Sequence, residues 1–122
     1  MKNHDEVLII DDEVEICFLL AGILKRKKLK TTIAHNLNDG YKKVGPKTDL
    51  LFLDINLPDG SGLDILKKLK NEHPSIKVII ISAYDGENEK TTAMQNGADA
   101  FIGKPFNSDV IFETLDRLAI ST

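Results

Sequence analysis

The sequence has few of the features that crosslink a chain or anchor it in a membrane. It contains one cysteine, Cys17, among 122 residues, so no internal disulfide can form. The longest apolar run, residues 16–24, is far shorter than the roughly 18 residues that a membrane span requires. No signal-peptide pattern opens the chain. We therefore expect a soluble, cytoplasmic protein without a membrane-inserted segment.

The sequence also lacks a strong excess of one charge. It has 16 basic and 19 acidic residues and a formal net charge of −3, which predicts no general affinity for nucleic acid or anionic membranes. The one basic cluster, at positions 25–30, falls where the first helix should end and complements the helix dipole there. The length and the 42% hydrophobic content predict a single domain spanning residues 1–122.

Apolar, β-branched runs alternate with longer segments of helical period along the chain. This alternation is typical of repeated βα units around a parallel sheet, and five units can be counted. The sequence therefore predicts an α/β fold with a five-stranded parallel sheet. The predicted strands are residues 7–11, 31–35, 49–54, 77–82 and 100–103. The predicted helices are residues 13–28, 37–44, 62–72, 87–96 and 108–118.

Helical periodicity also predicts which residues face the core. In the first helix we expect Cys17 to be a small buried hydrophobe. The fourth helix has only Ala93 and Met94 as clear apolar residues, so it should be the least firmly packed. The other inward-facing residues expected in the first helix are Val14, Phe18, Ala21 and either Ile23 or Leu24, and those expected in the fifth are Ile111, Leu115 and Leu118.

Four of the predicted strands end on residues that can handle a phosphoryl group: Asp11 and Asp12, Asp54, Ser82, and Lys104. Parallel strands place their carboxyl ends at one edge of the sheet, so these side chains should share one crevice. Like charges about 4 Å apart repel by about 4 kcal/mol per pair at an effective dielectric constant of 20. A cation is therefore expected among the carboxylates, and Mg²⁺ prefers oxygen ligands of this kind.

Simpler interpretations exist for the aspartates and for Ser82, and Asp54 could be only a turn residue that ends a strand. An aspartate after the first strand could cap the first helix, although a lone aspartate would suffice for that. Ser82 could be an ordinary residue at a strand end. Lys104 precedes Pro105, and a cis bond there would turn the chain sharply and direct the ammonium back into the crevice.

Several segments together resemble the receiver domain of bacterial two-component response regulators, over essentially the whole chain. They are the pair Asp11-Asp12, the run Leu-Phe-Leu-Asp54-Ile-Asn-Leu-Pro58-Asp-Gly, the segment Ile-Ile-Ser82-Ala83, and the segment Phe101-Ile-Gly-Lys104-Pro105-Phe106. The resemblance implies a doubly wound, flavodoxin-like (βα)5 fold with strand order 2-1-3-4-5. The ligand-binding switch point then lies between strands one and three.

The resemblance implies a role for each matching residue. Asp54 would be the phosphoacceptor, and Ser82 and Lys104 would hold the phosphoryl group. Magnesium would be bound by Asp12 directly, by Asp11 mainly through water, and by Asp54 and the backbone carbonyl of Asn56.

Three further positions would tune the response. Phe101 occupies the family's aromatic switch position, where a ring without a hydroxyl can act only through burial, unless it is a plain core residue. Asn56 and Tyr84 would border the path of the hydrolytic water and set the lifetime of the phosphorylated state.

The implied function is a signalling phosphoacceptor that catalyses its own phosphotransfer and dephosphorylation. Its partners would be a sensor histidine kinase or a histidine phosphotransfer protein and an unidentified downstream protein. Use as a single-domain regulator or phosphorelay intermediate is expected, and a domain excised from a larger protein is the alternative.

Two other functional classes share parts of this pattern. Magnesium phosphohydrolases that resemble the haloacid dehalogenase family carry two acids that are two residues apart after the first strand, whereas Asp11 and Asp12 are adjacent. A flavodoxin-like binding module would need hydroxyls and amides at that point, because two carboxylates repel a cofactor phosphate.

Overall fold

The computed structural model describes residues 6–118, so the ends of the predicted 1–122 domain lie outside the described part. Five parallel strands form one sheet in the order β2-β1-β3-β4-β5. This confirms the predicted α/β class and strand order. The strands are β1 (Glu6–Ile10), β2 (Lys30–Ala34), β3 (Thr48–Asp54), β4 (Lys77–Ser82) and β5 (Ala100–Gly103).

Five helices follow the strands in alternation and lie on both faces of the sheet. They are α1 (Val14–Lys25), α2 (Leu37–Lys43), α3 (Gly62–Glu72), α4 (Glu87–Gln95) and α5 (Ser108–Arg117). The first helix is shorter than predicted because the chain turns after Lys25, and Lys28 adopts a φ of 61°. Within residues 6–118 no helix is both long and apolar enough to cross a membrane.

The sheet separates two hydrophobic cores. Alternate residues of a strand point to opposite faces, so Val7 and Ile9 join the core under α1 and α5, while Leu8 and Ile10 join the core under α2, α3 and α4. The central strand β3 is buried at every position. Each fully buried Leu or Phe there contributes about 1.5–3 kcal/mol relative to an exposed one.

Strand register determines which side chains meet at the carboxyl edge of the sheet. β1 and β3 are neighbours with Ile10 opposite Leu53, so the next residues, Asp11 and Asp54, emerge side by side. In the same way Ser82 at the end of β4 pairs with Gly103, and Lys104 follows directly. The structure therefore brings four of the predicted site residues to one edge.

The predicted inward face of α1 was partly wrong. Val14 is 50% exposed and Phe18 is 69% exposed, whereas the residues that face the sheet are Cys17, Leu20, Ile23 and Leu24. Nearly every residue from Val14 to Leu24 is apolar, so the periodicity does not select one stripe. The burial of Cys17 was predicted correctly.

The packing of the last two helices agrees largely with expectation. Ala93 is the only buried residue of α4, and Met94 is exposed, so this helix is sparsely packed as predicted. It does not stand alone in this, since Gly40 is the only buried residue of α2. In α5, Ile111 and Leu115 are buried as predicted. Leu118 is only partly buried and packs at the edge of the core under α1 and α5, because α5 ends one residue before it.

Two helical glycines occupy opposite environments. At Gly22 in α1 an added Cβ would meet nothing within 4 Å. At Gly40 in α2 an added Cβ would lie 2.4 Å from Cδ1 and 2.7 Å from Cγ1 of Ile10, whose side chain is fully buried. The same substitution should therefore have opposite effects at the two sites.

Gly22→Ala is expected to raise the free energy of unfolding by about 0.5–1 kcal/mol, because alanine loses less backbone entropy in a helix. Gly40→Ala gains the same propensity but overpacks the core at a cost of about 1–3 kcal/mol, so it should lower the free energy of unfolding. Urea unfolding of both variants measures the difference. Equal effects of the two substitutions would show that the Gly40 contact does not constrain packing.

Candidate functional site

Four carboxylates gather at the carboxyl ends of β1 and β3. Asp11 and Asp54 are buried there, and Asp12 and Glu13 lie on the exposed rim. One carboxylate oxygen from each of the four lies within 4.8 Å of the others. Such a group of oxygen donors could hold a hard metal ion.

Lys104 reaches into this cluster from the end of β5. Its Nζ lies 2.6 Å from Glu13 Oε1, 2.9 Å from Asp11 Oδ2 and 3.2 Å from Asp54 Oδ2. Its backbone N–H donates to the carbonyl of Ser82 at 2.8 Å, and the Lys104–Pro105 bond is cis. Four carboxylates and one ammonium give the cluster a formal charge of −3.

The backbone and side chain of Asp11 are held from several directions. Its Oδ1 accepts a hydrogen bond from the Glu13 N–H at 2.8 Å. Its carbonyl oxygen lies 2.9 Å from His35 Nδ1 and accepts from Cys17 Sγ at 3.3 Å. A carbonyl can only accept, so Nδ1 of His35 carries the hydrogen in this contact.

The other carboxylate oxygen of Asp11 is the best indication of a metal site. Oδ2 is buried and accepts no hydrogen bond from the described part of the chain; the 2.9 Å contact with Lys104 is an ion pair without hydrogen-bond geometry. Buried polar atoms in folded proteins are normally satisfied. An oxygen in this position, with three further carboxylates beside it, fits a divalent cation that prefers oxygen ligands.

The loop after β3 brings Asn56 next to Asp54. The Asn56 N–H donates to Asp54 Oδ1 at 3.3 Å, and residues Asn56–Leu57 pair with Gly60–Ser61 in a short antiparallel hairpin. Gly62 passes so close to β3 that an added Cβ would lie 2.3 Å from the Asp54 carbonyl oxygen. Only glycine can lie this close to the Asp54 carbonyl, so Gly62 fixes the point at which the loop joins α3.

Asp59 anchors the same loop to α2. Its carboxylate accepts hydrogen bonds from the N–H groups of Leu37 at 2.8 Å and Asn38 at 2.9 Å. Both hydrogen bonds hold the pKa of Asp59 below its usual value, and the bond from Asn38 has the larger effect. The sequence predicts no specific contact for Asp59, because the pattern gives no sign of its distant partners.

The remaining predicted residues lie around the crevice. Ser82 is buried, and its Oγ accepts a hydrogen bond from the Tyr84 N–H at 2.9 Å. The Tyr84 side chain is exposed. The Phe101 side chain is half-buried and packs against the core under α2, α3 and α4.

Burial and charge perturb the two central groups in different ways. Burial, followed by the charge of Asp11, raises the pKa of Asp54 to about 6, although Lys104 and the Asn56 N–H oppose the shift. Asp54 is therefore mostly ionised at neutral pH. Burial alone would lower the pKa of Lys104, but its contacts with Glu13 and Asp11 outweigh that effect and raise it above its usual value.

Glu13 is the residue of this cluster that sequence reasoning missed. The sequence placed it at the start of the first helix, and the structure places it at the N-cap of α1. Its side chain makes no capping hydrogen bond and pairs with Lys104 instead. A third acidic residue directly after Asp11 and Asp12 was the available signal.

Comparison with known proteins identifies the family. Residues 7–116 match the response regulator receiver domain. The nitrogen assimilation regulatory protein NtrX of Azorhizobium caulinodans is 35% identical over 117 residues, which cover 93% of this chain and 26% of the relative. The KdpE regulator of Staphylococcus aureus is 33% identical over 122 residues, which cover 97% of this chain and 52% of the relative. This chain spans between 23% and 52% of the length of the curated relatives it matches.

Solved structures give the same result. A CheY-like receiver domain protein from Methanospirillum hungatei has a TM-score of 0.86 at 29% identity, with 93% of this chain and 92% of that chain covered. A second similar structure is that of a Burkholderia pseudomallei response regulator with a phosphorylated aspartic acid, a calcium ion and citrate. It has a TM-score of 0.82 at 25% identity, with 94% of this chain and 71% of that chain covered. The chain therefore belongs to the response regulator receiver domain family and is a signalling module of two-component systems.

Proposed function

We propose that Asp54 is the phosphoacceptor of this receiver domain and takes the phosphoryl group from a phosphohistidine on a partner protein. The supporting observation is the position of Asp54, a buried, ionisable carboxylate between three acidic neighbours and the ammonium of Lys104. The similar Burkholderia protein carries a phosphorylated aspartic acid. The partner is a sensor histidine kinase or a histidine phosphotransfer protein.

Mg²⁺ is the cofactor we propose, held by Asp11, Asp12, Asp54 and the backbone carbonyl of Asn56. The buried Asp11 Oδ2, which has an ion pair with Lys104 but accepts no hydrogen bond from the described part of the chain, and the net negative charge of the cluster support a bound divalent cation. When bound, such an ion neutralises charge on the phosphoryl oxygens during transfer.

The chain's own side chains carry the rest of the reaction. The ionised carboxylate of Asp54 forms a bond to phosphorus while the bond to the donor histidine nitrogen breaks, and that nitrogen keeps the electron pair. Lys104 and the Ser82 hydroxyl then hold the phosphoryl oxygens. The domain thus catalyses its own phosphorylation, and loss of the group to water is catalysed by the same residues.

The response to phosphorylation is carried by the face formed by α4, β5 and α5. A phosphoryl group adds about −1.5 to −2 charge, which draws Lys104 and Ser82 toward it and gives the Phe101 ring a new burial site. The single buried side chain of α4 supports this assignment, because a weakly packed helix is easily displaced. An unidentified downstream protein reads this face, and the family assignment supports a cytoplasmic location. The net charge of −3 supports the proposal that this domain does not itself bind nucleic acid.

Acetyl phosphate with magnesium should add one phosphoryl group to the protein, at Asp54. Intact-protein mass spectrometry measures the added mass, and Asp54→Ala should show none. EDTA should prevent the reaction in the wild type. Equal labelling of wild type and Asp54→Ala would overturn the assignment of the phosphoacceptor.

Magnesium should also raise the melting temperature, because it binds a carboxylate cluster that the unfolded chain lacks. At about 100 times Kd the stabilisation is about 2.7 kcal/mol. Asp12→Asn should weaken this response and raise the melting temperature in EDTA by relieving repulsion among the carboxylates. A wild-type melting curve that magnesium leaves unmoved would show that no metal site is present.

Asn56 and Tyr84 are proposed to control how long the phosphoryl group survives, by controlling the approach of water. Asn56→Lys should lengthen the lifetime, because a long cationic side chain obstructs the water and pairs with the phosphate. Tyr84→Ala should shorten it, and Tyr84→Phe, which keeps the ring, should leave it unchanged. Decay is timed by mass spectrometry after the donor is removed. Wild-type decay rates in both Asn56→Lys and Tyr84→Ala would exclude this role.

A further inference from the structure

The side chain of Glu13 connects two loops at the mouth of the crevice. Glu13 ends the β1–α1 loop, and Lys104 begins the segment between β5 and α5. Their 2.6 Å contact is shorter than the 3.2 Å contact between Lys104 and Asp54. The side chain of Glu13 is 57% exposed and that of Lys104 is 9% exposed, so Glu13 meets the ammonium from the solvent side and Asp54 meets it from the interior.

Glu13 does not have the role that its position on the helix suggests. Short side chains such as aspartate at an N-cap commonly accept a hydrogen bond from the first turn, but the longer side chain of Glu13 makes no such bond here. The next acidic side chain, Glu15, lies in the first turn of α1 and is exposed. Glu13 is therefore turned away from the helix and toward Lys104.

We propose that Glu13 is a positioning residue that holds Lys104 between phosphorylation events, and that an incoming phosphoryl group must take Lys104 from it. This inference rests on the proposed roles of Asp54 and Lys104. The exchange is feasible because Glu13 is 57% exposed, so solvent screens its side of the ion pair and weakens it, whereas phosphoryl oxygens are strong acceptors for an ammonium. Because Glu13 is paired with the Lys104 ammonium that must bind the phosphoryl oxygens, it slows the phosphorylation of Asp54.

The test uses acetyl phosphate, magnesium and the whole chain. In the reaction Asp54 forms a bond to phosphorus, the bond from phosphorus to the acetate oxygen breaks, and acetate leaves with the electron pair. Glu13→Gln should increase the rate of phosphorylation by about two- to fivefold, the change expected on loss of an ion pair that solvent screens on one side. Glu13→Asp keeps the charge but shortens the side chain, so it should give a similar increase.

Two measurements separate this role from general electrostatics and from metal binding. Glu15→Gln removes the same charge nearby without touching Lys104, and its rate should equal that of the wild type. The magnesium concentration at half-maximal thermal stabilisation should change less than about twofold in Glu13→Gln, because Glu13 acts on the ammonium.

Each contrary result overturns the inference. Wild-type rates in Glu13→Gln would show that Glu13 does not restrain Lys104, and equal acceleration in Glu15→Gln would assign the effect to overall charge. Acceleration in Glu13→Gln without acceleration in Glu13→Asp would assign it to local charge. Slower labelling with a large increase in the magnesium requirement would make Glu13 a metal ligand. A wild-type protein that is not labelled at all contradicts the proposed function instead.

Discussion

The acidic crevice depends on the ion pairs between the ammonium of Lys104 and the surrounding carboxylates. Two carboxylates about 4 Å apart repel by about 4 kcal/mol at an effective dielectric constant of 20, and four carboxylates lie together here. Lys104 contacts three of them and offsets part of this repulsion. The remainder keeps the site selective for further positive charge. Burial, followed by the charge of Asp11, raises the pKa of Asp54 to about 6.

The fold could be predicted from the sequence because the signals agree with one another. The apolar runs of β3 and β4 are bounded by polar residues, so their ends were predicted to within one residue. Parallel strands end at the same edge of a sheet. The presence of Asp11, Asp54, Ser82 and Lys104 at that edge could therefore be predicted without side-chain positions. Strand order came from the family resemblance, since local sequence does not encode which strands are neighbours.

Other features could not be predicted because they depend on distant contacts. The buried face of α1 was misassigned at Val14 and Phe18, since a helix that is apolar on several sides is oriented only by the sheet beneath it. Glu13 and Asp59 were missed as specific contacts for the same reason. Their partners, Lys104 and the start of α2, lie 91 and 21 or 22 residues away along the chain.

The Asp59 contact has a consequence for the order in which the domain can assemble. The first turn of α2 has its Leu37 and Asn38 N–H groups bound by a side chain that arrives only after β3 and its loop are in place. A seven-residue helix is too short to persist alone in water. The Leu37 and Asn38 N–H groups therefore meet this acceptor only after the loop beyond β3 has formed, although they precede β3 in the chain, and nascent chains that stop before Asp59 lack it.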